Sequence, residues 1–278
     1  MADAKPIRIA VLGADGRMGR ALTRAVKAAA PDAVLTAASE RAGAAAIGTD
    51  AGTRAGIEAT GVLIDSALPA RGVADVWIDF TNASATEAVT VAATAAGAAL
   101  VIGTTGIGTH ARAAIDFAAL KVPIVFASNY SVGINVMLKL IADAARALGP
   151  GYDLEIVEAH HRAKQDAPSG TALTLAETLA TATGRKLASA GRYARHGDIG
   201  PRGATEIGVQ TIRGGDVVGD HTVFFLGQGD RLEITHRATT RDTFAVGAVR
   251  AALWVAGREP GLHDMRAILG LALLSSGA

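Results

Sequence analysis

The sequence predicts a two-domain α/β protein. A doubly wound parallel sheet of the Rossmann type comes first, and an α+β domain with a mostly antiparallel sheet follows. Three observations carry this. Through the first half of the chain, short apolar runs alternate with alanine-rich helical stretches, the pattern of βαβ units around a parallel sheet. A glycine-spaced turn, Gly13, Gly16 and Gly19 in "IAVLGADGRMGRAL", joins the first strand to the first helix. Late in the chain, β-type segments succeed one another, two of them parted only by the turn-forming Gly227-Gln228-Gly229-Asp230.

The elements follow in order. Ile7–Leu12 reads as a strand, Arg20–Ala30 as a helix and Val34–Ala38 as a second strand. A strand lies within Val73–Phe80, a helix over Ala83–Ala96, a strand over Ala98–Ile102, a helix over Thr109–Leu120 and a strand over Pro123–Ala127. Runs such as "ALVIG" and "VPIVFA" are apolar throughout, as strands buried on both faces require. Beyond residue 130 the pattern changes: helix Val132–Leu148 ends at Gly149-Pro150-Gly151, strand Leu154–Ala159 follows, then helix Ala172–Thr183. Ile207–Ile212, His221–Leu226 and Arg231–Arg237 read as strands, and Thr243–Ala256 as a helix. The expected division is a dinucleotide-binding domain over 1–130, rejoined by the C-terminal helical segment 241–278, and a second domain over 131–240. Residues 184–206, rich in Gly and Arg, are expected to form an exposed or mobile loop.

Composition narrows the function. The chain has 278 residues, 50% of them hydrophobic, enough for two modest domains. Its 27 basic and 26 acidic residues leave a net charge of +1, which argues against a nucleic-acid partner. With no cysteine there is neither a disulfide nor a thiolate metal site, and a reducing compartment fits. The first residues lead directly into a strand pattern, without a leader arrangement, and no uncharged apolar run approaches the roughly 18 residues of a membrane span. A soluble, cytoplasmic protein without a membrane partner is expected.

Two clusters concentrate chemistry. In the glycine-spaced turn, glycine permits a tight bend and close approach of a pyrophosphate to the backbone, and the helix that follows offers free N–H groups. Such a turn can also hold nothing, but its place at the first strand of a βαβ pattern favours a nucleotide. Glu40, after the second strand, stands where a carboxylate reaches adenosine ribose hydroxyls; alone it would repel a 2′-phosphate. Arg41 beside it can pair with that phosphate or stack on adenine, so both NADH and NADPH are expected cofactors. Asp79-Phe80-Thr81 and Gly103-Thr104-Thr105-Gly106 end successive strands, where a nicotinamide would lie.

The second cluster is "EAHHRAKQDAPSGTAL", Glu158–Leu173. Ser169 is a plausible N-cap, and the N–H groups and Thr171 hydroxyl beyond it suit a substrate carboxylate. Lys164 supplies a fixed cation or an acid, and His160 and His161 ordinarily titrate near neutrality. A single histidine at a strand end is more often a satisfied core or surface residue; two with a lysine and a helix start are less easily dismissed. No metal is expected, because the residue four beyond His160 is Lys164. Adjacent strand residues face opposite ways, so this reading requires the strand to end by about Ala159 and both histidines to sit on a loop.

These motifs, with "VLGADGRMGR", "DFT", "VIGTTG", "SNYSVGINVM" and "RGGDVVGDHTVFF", resemble the 4-hydroxy-tetrahydrodipicolinate (dihydrodipicolinate) reductase family over nearly the whole chain. Asp15 departs from the small residue more usual between the glycines. The resemblance implies an NADH- or NADPH-dependent reductase of a cyclic imine dicarboxylate, and a homotetramer built through the second domain. It implies that Gly13, Ala14, Asp15, Gly16, Arg17 and Met18 hold the pyrophosphate, with Glu40 and Arg41 at the ribose. Gly103, Thr104, Thr105, Ala127, Ser128, Asn129 and Tyr130 would line the nicotinamide. His160 and Lys164 would be catalytic, and His161, Gly170 and Thr171 would bind the substrate's carboxylates. Which of His160 and Lys164 donates the proton stays open at this stage. An aspartate- or homoserine-dehydrogenase-like enzyme, a relative reducing another cyclic imine, and an inactive nucleotide-binding regulator are the competing readings.

Overall fold

A computed structural model describes residues 5–271 of the chain. Its elements are β1 (Ile7–Leu12), α1 (Arg17–Ala28), β2 (Ala33–Ser39), α2 (Ala51–Ala55), β3 (Ile64–Asp65), β4 (Val76–Asp79), α3 (Thr86–Ala96), β5 (Ala99–Ile102), α4 (Thr109–Ala118) and β6 (Pro123–Phe126). There follow α5 (Val132–Leu148), a single 3₁₀ turn (Gly149–Gly151), β7 (Asp153–His160), α6 (Gly170–Ala182), α7 (Leu187–Ala190), β8 (Gly191–Arg192), β9 (Ile207–Arg213), β10 (Gly219–Leu226) and β11 (Arg231–Ala238). The chain closes with α8 (Asp242–Val255), β12 (Gly261–His263) and α9 (Met265–Leu269). The described residues divide into two compact units, 5–132 with 241–271, and 133–240.

The first unit is a seven-stranded parallel sheet in the order β12-β6-β5-β4-β1-β2-β3. Alternation along β1 explains its two layers. Ile9 and Val11 enter a core shared with Leu22 and Val26 of α1 and Ala248, Ala252 and Val255 of α8. Ala10 and Leu12 enter a second core with Val89 and Ala93 of α3 and Ile115 of α4. Strands β4 and β5 are buried throughout, β5 as its unbroken apolar run requires and β4 with Asp79 buried at its end. Helix α8 packs on α1 and against β4–β6. Its Gly247 is obligatory, since a Cβ there would lie 1.8 Å from the Tyr130 carbonyl oxygen. Helix α1 starts at Arg17, three residues ahead of the sequence expectation, because Gly16 supplies an extended N-cap. Residues 272–278 of the expected C-terminal segment lie outside the described residues.

The second unit is a five-stranded sheet, β11-β10-β7-β9-β8, with α5 and α6 on one face. That face buries Leu154, Ile156, Ile207, Val209, Val223 and Phe225. The sheet is mixed: β10 is antiparallel to β7 and β11, while β9 is parallel to β7 and β8. The long excursion through α6 and residues 184–206 brings β9 back in the direction of β7, a return that no hairpin could make. Residues 184–206 are tied down by charge instead of being a free loop. Arg195 grips both Glu155 oxygens at 2.8 and 2.9 Å, and Arg202 reaches Asp153 at 2.6 Å and Glu155 at 2.9 Å.

Candidate functional site

In the first unit the glycine turn forms one wall of an open cavity of about 600 Å³ at the C-terminal ends of β1 and β2. Gly13, Asp15, Gly16, Glu40 and Arg41 line it, together with Phe80, Thr81 and Asn82. Gly13 adopts φ +67°, where a side chain is strained, and a Cβ there would press on Thr81 Cγ2 at 3.1 Å. Gly19 has no room at all: its Cβ would stand 2.0 Å from the Gly13 carbonyl oxygen. The chain therefore keeps this cradle bare of side chains. The start of α1 has neither a side-chain cap nor an acidic residue in its first turn, so its N–H groups and positive dipole end are left for an anion. These features fit a dinucleotide pyrophosphate.

Asp15 does not spoil the cradle. Its carboxylate turns to Arg54, at 2.8 and 2.9 Å, and to Arg20, at 2.8 Å. Burial opposes its charge, but these two guanidinium groups outweigh it and hold the carboxyl below its usual range. Its backbone N–H donates to Glu40 Oε2 at 3.2 Å, and Glu40 Oε1 accepts the Arg41 N–H at 3.0 Å. Glu40 thus ties the end of β2 to the glycine turn.

Ala14 lies within that turn and Arg17 and Met18 open α1, while the remaining cofactor candidates sit at the ends of β5 and β6. Gly103, Thr104 and Thr105 follow β5, and Ala127, Ser128, Asn129 and Tyr130 follow β6. Gly103 packs so closely on Phe80 that a Cβ would lie 2.2 Å from the ring. Buried Tyr130 holds the two strand ends together, its hydroxyl lying 2.9 Å from the Ile102 carbonyl and 3.0 Å from that of Val125.

The second unit holds the other cluster. Strand β7 runs through His160, not only to Ala159, because its parallel ladder with β9 continues to the pair His160↔Arg213. The expectation that both histidines leave the strand is corrected: only His161 does. Alternation turns Glu158 and His160 to the buried face. His161, just past the strand, donates its backbone N–H to the Val217 carbonyl at 2.7 Å.

Glu158 is fully buried and is the most heavily bonded side chain of the cluster. Arg213 grips it bidentately, each N···O distance 2.8 Å. His160 Nδ1 lies 2.6 Å from Oε2; the Ser169 N–H and Thr211 hydroxyl donate to Oε1 at 3.0 and 3.1 Å. Burial works against the charge, yet Arg213, His160 and Ser169 together bring the Glu158 pKa down to about 2. Burial also pushes His160 below the ordinary histidine value, against the pull of Glu158. Ser169 caps α6, its Oγ accepting the Ala172 N–H at 3.1 Å, so the helix starts at Gly170 and Thr171. His221 on β10 touches the Ser169 hydroxyl at 3.2 Å and sets its ring edge-on to His160 with centroids 5.2 Å apart. Its pKa is lowered to about 4 by burial, then by His160. Lys164 Nζ pairs with Asp166 at 2.9 Å, and Arg213 also donates to the Asp166 carbonyl at 2.7 Å.

The cluster therefore joins His160, Lys164 and the Gly170-Thr171 helix start around one ion pair. Sequence reasoning missed Glu158, Arg213, Thr211 and His221 as members. The available signal was period-two alternation, which sets Glu158 in phase with Leu154 and Ile156. Among the described residues no group of His, Asp and Glu could hold a metal, and no helix is long and apolar enough to cross a membrane.

Comparison with known proteins gives this arrangement a context. Residues 7–130 match the family model for the N-terminus of dihydrodipicolinate reductase, and residues 133–269 that for its C-terminus. A 4-hydroxy-tetrahydrodipicolinate reductase of Anaeromyxobacter dehalogenans is 54% identical, covering 95% of this chain and 98% of the relative. That of Alkalilimnicola ehrlichii is 55% identical over 95% and 99%. Among solved structures, a dipicolinate-bound dihydrodipicolinate reductase from Paenisporosarcina sp. TG-14 superposes with a TM-score of 0.69 at 22% identity, covering 93% of this chain and 97% of that one.

Proposed function

This chain belongs to the dihydrodipicolinate reductase family, and on that premise we propose how its residues divide the work of the reaction. The enzyme is an NAD(P)H-dependent oxidoreductase that reduces 4-hydroxy-tetrahydrodipicolinate to tetrahydrodipicolinate in lysine and diaminopimelate biosynthesis. A nicotinamide cofactor supplies the hydride when bound. Gly13–Met18 receive its pyrophosphate, Glu40 and Arg41 its ribose, and residues 103–105 and 127–130 its nicotinamide end. Arg41 offers a 2′-phosphate a cation and Glu40 offers a 2′-hydroxyl an acceptor, so both NADH and NADPH serve.

The substrate is a dianion. The N–H groups at Gly170 and Thr171, the Thr171 hydroxyl and His161 bind its carboxylates. Reduction moves electron density from the conjugated carbon–carbon bond toward the ring nitrogen, and the adjacent carbon then takes a proton; water leaves from the 4-position before or during this step. Lys164 delivers that proton. One observation favours it over His160: the His160 Nδ1 faces an ionised carboxylate at 2.6 Å, and burial disfavours the imidazolium that would make its other nitrogen an acid.

We further assign a homotetramer built through residues 133–240, whose sheet carries Ile212 and Leu232 exposed on it, and a cytoplasmic setting, which suits a chain without cysteine. Light scattering tests the assembly. The activity test generates the unstable substrate from pyruvate and aspartate semialdehyde with dihydrodipicolinate synthase and follows cofactor oxidation. Rapid oxidation of both NADH and NADPH is expected. Folded protein that binds NADH yet oxidises neither cofactor would refute the reading.

A further inference from the structure

Glu158 is fully buried, and groups from four places in residues 133–240, His160, Ser169, Thr211 and Arg213, converge on it. Its two oxygens are not equivalent. Oε1 accepts three donors: the Ser169 N–H at 3.0 Å, the Thr211 hydroxyl at 3.1 Å and Arg213 at 2.8 Å. Oε2, among the described residues, meets Arg213 at 2.8 Å and His160 Nδ1 at 2.6 Å. An ionised carboxylate only accepts, so a short contact to Nδ1 requires the proton to sit on Nδ1.

We propose that Glu158, locked by Arg213, is the positioning residue of this site, fixing His160 as the Nδ1–H tautomer so that Nε2 accepts a hydrogen bond from the substrate and does not protonate it. The roles of substrate and proton in this statement rest on the reductase reading; the tautomer does not.

The surroundings agree from each element that packs here. Nε2 lies over Gly219 of β10, where a Cβ would come within 3.0 Å of it, so the glycine spares that nitrogen a covering side chain. His221, from the same strand, meets the ring edge-on. The cations Arg213 on β9 and Lys164 on the loop after β7 both disfavour a charged His160, and Glu158 is the anion that favours one. Burial weighs on the same side as the cations, and together they hold His160 below the ordinary histidine value against the pull of Glu158. Arg213 carries the arrangement outward: the guanidinium nitrogen that reaches Oε1 also donates to the Asp166 carbonyl, and Asp166 pairs with Lys164. One buried ion pair thus sets the tautomer of His160, the start of α6 through Ser169, and the loop that presents Lys164.

The test is Glu158→Gln, which preserves volume. The three donors at Oε1 select the amide oxygen for that place. The amide NH₂ then faces Nδ1 and opposes an Arg213 N–H. His160 must offer a lone pair at Nδ1 and move its proton to Nε2. Long-range proton–nitrogen correlation spectra of ¹⁵N-histidine protein read this directly, the His160 signal being assigned by its loss in His160→Asn. The wild type should show the Nδ1–H form at neutral pH and Glu158→Gln the Nε2–H form. The turnover number should fall roughly 10- to 100-fold, the scale for removing the partner that orients a functional histidine, with KM for NADH unchanged.

A wild-type His160 found as the Nε2–H form or as imidazolium at neutral pH would overturn the proposal, and that spectrum stands even if the variant fails to fold. So would a loss of turnover in Glu158→Gln with the Nδ1–H form retained, which would make Glu158 merely structural, or a changed tautomer with full turnover. Wild-type protein that shows the Nδ1–H form but reduces no substrate would refute the reductase reading and leave the tautomer standing.

Discussion

Gly19→Ala should weaken cofactor binding roughly 10- to 150-fold while sparing residues 133–240. The added Cβ would lie 2.0 Å from the Gly13 carbonyl oxygen, 2.6 Å from Ala14 Cα and 2.8 Å from the Ala14 carbonyl carbon. Non-bonded carbons settle roughly 3.5–4.0 Å apart, so the backbone of the glycine turn must retreat by about an ångström. Helix α1 cannot yield instead, because Leu22 and Val26 are fully buried in the core shared with α8. Overpacking of this kind costs roughly 1–3 kcal/mol of stability. Displacing the turn also takes its N–H groups off the pyrophosphate. A hydrogen bond to a charged group is worth about 1.5–3 kcal/mol, so losing one weakens binding roughly 10- to 150-fold. Fluorescence titration with NADH and urea unfolding read the two effects separately. Gly151→Ala is the control, since nothing lies within 4 Å of its Cβ position and its φ is not positive. Wild-type affinity and stability in Gly19→Ala would refute the claim that this turn is held rigid by close backbone packing and binds the cofactor.

Lys164→Ala should lower turnover by roughly 10²- to 10⁴-fold, the worth of a positioned acid, with NADH affinity unchanged; full turnover would remove Lys164 from the mechanism. Glu40→Ala removes the acceptor for the Asp15 and Arg41 N–H groups and for a ribose hydroxyl. It should weaken NADH roughly 10-fold and shift preference toward NADPH, as read from kcat/KM for each cofactor. Stability should fall on acidification. His221 resists protonation in the folded state, with a pKa of about 4 against 6.5, so the unfolded chain binds the extra proton. Its contribution is complete above pH 6.5 and fades toward pH 4, an effect on the order of 3 kcal/mol. Glu158 adds a second loss at lower pH, as the medium falls from 4.5 through about 2. Urea unfolding at pH 7 and pH 4.5 should show the first loss, and His221→Asn should flatten it; equal wild-type stability at both would contradict the burial of an uncharged His221.

Local chemistry made much of this protein legible in one dimension. Unbroken apolar runs marked β5 and β6, because strands covered on both faces need no polar alternation. Gly13, Gly16 and Gly19 announced the nucleotide turn, because Gly13 needs a positive φ and at Gly19 the backbones leave no room for a Cβ. Ser169 announced the start of α6, because capping is a contact between neighbours in sequence. The lysine and paired histidines were visible through their density. Other features had no local signature. The short strands β3, β8 and β12 form only by adding to a sheet edge already present. The parallel course of β9 follows from how the preceding residues are anchored, and that depends on ion pairs as distant in sequence as Glu155 and Arg202. Alternation with Leu154 and Ile156 could place Glu158 on the core face but not say which partner it would meet there. Its role required Arg213 to arrive 55 residues later, in a register that sets His160 beside Arg213 and Glu158 beside Thr211. The sequence by itself determined which residue types were present and which turns and strands they favour, since those are short-range preferences. Tertiary structure alone decided which charge is buried beside which histidine, because burial, and the partner that makes a buried charge tolerable, belong to the packed sheet and not to any segment of it.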